Sequence, residues 1–219
     1  TSIQPDNFTV SVEKSEINKS ALQWGFFHNG AASGLTISKE SKGISGSWII
    51  FNKPESLTAQ HGGFLLGLGL NGHLKSLEEW NIYNHLGPKH FFTSVGLLLG
   101  MSASLRGTMD VKLTKVLSVH VVALLPQGAS DLIISAQVQA AGLVGIGLLY
   151  LETQHRKMSE ILLSQISGDV IVEEKELSDE NYRLSAGIGL GYVNLGKGDD
   201  LRGLHDTYAV DKLTSIATS

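Results

Sequence analysis

Apolar residues in this chain gather in four dense runs, each broken by glycines and each followed by a more polar stretch. The runs are residues 61–73 (HGGFLLGLGLNGH), 95–101 (VGLLLGM), 140–148 (AAGLVGIGL) and 185–192 (SAGIGLGY). We read each run as a buried helix. The stretches after them, roughly Lys75–Leu86, Asp110–Leu125, Arg156–Ile166 and Leu201–Ile216, read as partner helices. Aligned on an apolar–Gly–apolar triplet, the runs share Gly69, Gly100, Gly147 and Gly191, at spacings of 31, 47 and 44 residues. A recurrence in the range of roughly 20–50 residues marks a repeat architecture.

Glycine inside a helix costs about 1 kcal/mol relative to alanine. It is retained where another backbone must approach closely. Gly63 with Gly67, Gly96 with Gly100, Ala141 with Gly145 and Gly187 with Gly191 are small pairs at i,i+4, so each lays a flat stripe on one helix face. The stripes predict glycine-bearing helices packed side by side, and tight packing on one side bends the array. The expected fold is therefore all-α, a curved α-solenoid of helix-turn-helix repeats forming part or all of a toroid. Gly69, Gly100, Gly147 and Gly191 are expected to be its packing residues.

Outside the four runs the pattern is less regular. Residues 1–19 read as a polar entry segment, and residues 20–219 as the helical domain. Residues 21–37 (ALQWGFFHNGAASGLTI) resemble a degenerate first repeat. This gives units around 20–55, 56–90, 91–130, 131–180 and 181–219. The β-prone run Trp48–Phe51, closed by Asn52 and Pro54, predicts a short strand. Residues 167–181 read as a charged, solvated insertion.

Composition narrows the functional classes. Glycine is 25 of 219 residues against four prolines, and most glycines lie between Leu, Ile and Val, so this is not linker composition. A net charge of −4 gives no footprint for nucleic acid. With no cysteine, disulfides, thiolate catalysis and Cys-ligated zinc are excluded. Residues 132–151 carry no charge over a span-like length, but Gln137 and Gln139 favour a buried helix over a membrane span. The sequons at Asn7 and Asn18 read as chance matches. The chain opens on Thr1 without a methionine and reads as a piece of a longer protein.

Motifs for chemistry are weak. Gly67–Gly72 spells G-x-G-x-x-G, but no strand precedes it and no acid lies between Glu79 and Asp110. Gly191–Gly198 misses the P-loop at its last position, which is Gly198 instead of Ser or Thr; we read Gly196–Asp200 as a helix cap and turn. The eight histidines show no metal-ligand spacing, and His120 on an apolar helix reads as a hydrogen-bonded core residue. No catalytic residue, cofactor or metal is expected.

Several long strings in order then carry a family resemblance: residues 48–54 (WIIFNKP), 61–74 (HGGFLLGLGLNGHL), 93–100 (TSVGLLLG) with 107–110 (GTMD), 117–120 (LSVH) running on to 123–126 (ALLP), and 138–148 (VQAAGLVGIGL). They resemble proteasome/cyclosome repeats, over roughly residues 20–205. These repeats occur in two large proteasome regulatory-particle subunits and in subunit 1 of the anaphase-promoting complex; residues 48–54 and 61–74 favour the latter. The resemblance implies a non-catalytic scaffold of a ubiquitin ligase in the nucleus and cytoplasm. Its implied partners are degron-receptor, cullin-like and TPR-type subunits, with no nucleic acid, membrane or small-molecule substrate. It supplies no catalytic residue. Two readings stand against it: a proteasomal subunit docking ubiquitin-like domains, and a nucleotide-binding enzyme using Gly67–Gly72 or Gly191–Gly198.

Overall fold

A computed structural model describes residues 2–3, 10–11, 19–125, 134–167, 180–200 and 203–218. Among these residues the chain is a solenoid of ten α-helices. The only sheet among them is a two-residue antiparallel ladder of β1 (Ser2–Ile3) and β2 (Val10–Ser11). The expected charged insertion at 167–181 and the sequons at Asn7 and Asn18 lie almost wholly outside the described residues.

One layer holds the glycine-bearing helices: α1 (Lys19–Leu35), α3 (Ala59–Leu70), α5 (Phe91–Ser104), α7 (Ala136–Leu149) and α9 (Glu180–Val193). Each packs against the next in that order. The second layer holds the shorter helices α2 (Gly46–Phe51), α4 (Glu79–Leu86), α6 (Val111–Ser118), α8 (Arg156–Ser167) and α10 (Ala209–Thr218). The core lies between the layers, where Leu65, Leu68, Leu97 and Leu98 of the first meet residues such as Ile82 and Leu113 of the second.

Side-chain caps set the helix starts. Ser45, Thr58, Asp110 and Ser135 accept the N–H of Trp48, His61, Leu113 and Val138, and His90 Nδ1 accepts that of Thr93. The first of these caps overturns one expectation: residues 48–51 form helix α2, not a strand. The Ser45 cap and the tertiary burial of Ile49 override the β propensity of Trp-Ile-Ile-Phe.

Three second-layer helices are also shorter than their sequence pattern. Residues 71–78 form a turn that plugs Leu74 and Leu77 into the core before α4 begins. α6 stops at Ser118, and Val121 turns extended before a 3-10 turn at Val122–Leu124. Run after run of β-branched valine there weakens the helix. α10 waits until Ala209 because Gly203 and Tyr208 adopt left-handed backbone at φ 78° and 51°. No described helix is long and apolar enough to cross a membrane.

Candidate functional site: the seams between glycine-bearing helices

The glycines lie where one helix backbone rests on another. A Cβ on Gly147 would sit 2.5 Å from Gly189 Cα, and one on Gly34 would sit 2.9 Å from Gly67 Cα. A Cβ on Gly69 would meet the backbone of Gly100, and one on Gly96 the backbone of Gly62. α3 uses both of its sides: Gly63 and Gly67 face α1, while Gly62 and Gly69 face α5. Real Cβ atoms stay beyond 3 Å, so no side chain fits any of these seams.

The structural register differs from the sequence register. Gly100, Gly145 and Gly189 each lie four residues before the last residue of α5, α7 and α9. Gly147 and Gly191 lie two before it, and Gly69 one before the end of α3. Aligning Gly100 with Gly147 was thus a slip of two. The seams pair a glycine near one helix end with the glycine four residues before the end of the next: Gly69 with Gly100, and Gly147 with Gly189. Gly191 is a correction of another kind. Nothing lies within 4 Å of its Cβ position, nor of that of Gly187, so neither packs against another helix among the described residues.

The seam between α5 and α7 is built differently. A Cβ on Gly145 would sit 2.8 Å from Ser102 Oγ and 3.0 Å from Leu117 Cδ2, and one on Gly142 would sit 2.7 Å from Val121 Cγ2. Side chains, not backbone, fill this joint.

Hydrogen bonds tie the helix ends across the seams. Asn71 Nδ2 donates to Leu35 O and Ile37 O at 3.0 and 2.7 Å, and Ser104 Oγ donates to Gly69 O at 2.7 Å. Gly107 and Met109 N–H groups reach Leu148 O and Leu149 O, at 3.0 and 3.1 Å. Glu152 and Gln154 repeat the pattern on Tyr192 O and Val193 O, at 3.0 and 2.9 Å. These donors add cross-helix partners to carbonyls at or just beyond the helix ends, some of which, such as Gly69 O, also accept from a residue of their own turn. Met109, Glu152 and Gln154 hold left-handed backbone to do so. Nothing in their side chains announces this role; only Gly107 carried a sequence signal for it.

The nucleotide reading fails on this geometry. Gly67 and Gly69 lie inside α3 with their faces packed on α1 and α5, and Gly72 (φ 85°) closes the helix. No backbone N–H cradle is left for a phosphate. Gly196 and Gly198 are left-handed turn residues after α9.

The ionisable core is sparse. His61 and His85 are buried and stacked, with ring centroids 5.6 Å apart and planes 12° off parallel. Burial pushes His61 down to about 4, helped by His85, Lys53 and His90. Burial also lowers His85, against the pull of its Nδ1 contact to Asn81 O at 2.9 Å. The Nε2 atoms of both rings and Asn81 Oδ1 are buried without a protein partner. His120 is held by Val116 O through Nδ1 and is likewise lowered by burial. Tyr182 is pushed up to about 12 by burial, and its hydroxyl donates to Gln165 Oε1. Among the described residues no three His, Asp or Glu side chains group where they could hold a metal ion.

Residues 1–106 match the family model described as the APC1 fourth domain, and residues 111–219 match the APC1 fifth domain. The two meet at the turn between α5 and α6. The chain is 52% identical over 98% of its length to a "Negative regulator of mitosis" of Emericella nidulans. It is 54% identical over 90% of its length to anaphase-promoting complex subunit 1 of Saccharomyces cerevisiae, and 43% identical over 95% to that of Homo sapiens. In each case it spans 11% of the relative's own length.

Proposed function

The chain belongs to the anaphase-promoting complex subunit 1 family, and from that membership we propose that it is a scaffold segment of the ubiquitin ligase. In this reading it makes and breaks no bonds itself. It holds degron-receptor, cullin-like and TPR-type subunits in place while mitotic proteins are ubiquitinated, in the nucleus and cytoplasm. The five helix pairs are its repeat units, around 20–55, 56–90, 91–130, 131–180 and 181–219. Gly69, Gly100 and Gly147 act as packing residues within the array.

The observation that carries this reading is the backbone-to-backbone seam. Helices locked through Gly69–Gly100 and Gly147–Gly189 cannot slide without collision, which suits a part that must keep other subunits at fixed distances. The polar groups at the seams are engaged in helix-end hydrogen bonds. A proteasomal role is not favoured, because the relatives carry ligase-subunit and mitotic-regulator names.

The test is affinity purification of the tagged parent protein from mitotic extract, with partners identified by mass spectrometry. Recovery of cullin-like, RING and TPR-type subunits is expected. Recovery of proteasomal ATPases instead, or of no partner, would overturn the proposal.

A further inference from the structure

We draw no further inference here: the strongest candidate, the open face of α9 at Gly187 and Gly191 in the apolar cavity of about 290 Å³ lined by α8, α9 and α10, is a stripe of small residues, and nothing in the structure shows what covers it.

Discussion

Gly147 and Gly191 hold the same place in their helices, two residues from the end, yet substitution by alanine should move stability in opposite directions. The intrinsic change is shared: alanine gains about 1 kcal/mol of helix propensity over glycine. At Gly191 nothing lies within 4 Å of the new methyl, so that gain stands alone. At Gly147 the methyl arrives 2.5 Å from Gly189 Cα and 2.9 Å from Gly189 O. Ordinary contact begins near 3.4 Å, so α7 and α9 must part by roughly an ångström, and a backbone cannot rotate out of the way as a side chain can. Overpacking of this kind costs about 1–3 kcal/mol, and a backbone obstacle puts it at the upper end. The net expectation for the 219-residue chain is a loss of about 2 kcal/mol for Gly147→Ala and a gain of about 1 kcal/mol for Gly191→Ala. For a domain of this size each kcal/mol shifts Tm by about 2–4 °C. Thermal melts followed by circular dichroism should therefore show the two variants on opposite sides of wild type. A Gly147→Ala melt at or above that of Gly191→Ala would refute the seam argument.

Acid should weaken the fold through His61. Its folded pKa, about 4, lies below the ordinary 6.5, so its contribution is intact above 6.5 and is lost between 6.5 and 4, by about 1.4 kcal/mol per pH unit. Urea titrations at several pH values should show this slope, and His61→Leu should flatten it; an unchanged slope would clear His61 of the effect. Tyr182→Phe removes the donor to Gln165 Oε1 and should cost about 1 kcal/mol. In the wild type, ultraviolet titration should find that phenol ionising only near the point of alkaline unfolding. A thermal-shift screen with ATP, GTP, NAD and NADP should show no specific stabilisation, since the glycines of residues 67–72 are packed against helices; a shift with any one of them would reopen the nucleotide reading.

Much of this architecture was written in periodic features. Glycines spaced along apolar runs located α3, α5, α7 and α9, and even the degenerate run at 21–37 became α1. The turn glycines Gly196 and Gly198 were legible because a left-handed backbone needs them, whereas Gly72, read as part of a helix over 61–73, instead closes α3 with a left-handed backbone. What misled was local preference set against tertiary context. Residues 48–51 looked like a strand because of their β propensity, yet a serine three residues earlier and one buried isoleucine sufficed to make them helical. The glycine register slipped by two because α7 holds Gly145 and Gly147, and a triplet pattern cannot tell which of them faces backward and which forward. Only the partner helix decides, and for Gly147 its contact residue Gly189 lies 42 residues away in the chain.

The same ambiguity explains why the α5–α7 joint was invisible. By sequence, α5 and α7 carry glycine pairs as good as those of α3 and α9. But Gly142 and Gly145 turn to Val121 and Leu117, residues the pattern had assigned to an unbroken second helix. Its early stop leaves Val121 buried against the face of Gly142, so a side chain fills the joint there. A cluster of β-branched residues, judged locally a minor helix weakness, thus sets which side chains fill the joint between α5 and α7. The glycines state where backbone meets backbone; the joint where side chains intervene is set by a valine that carries no repeat signal at all.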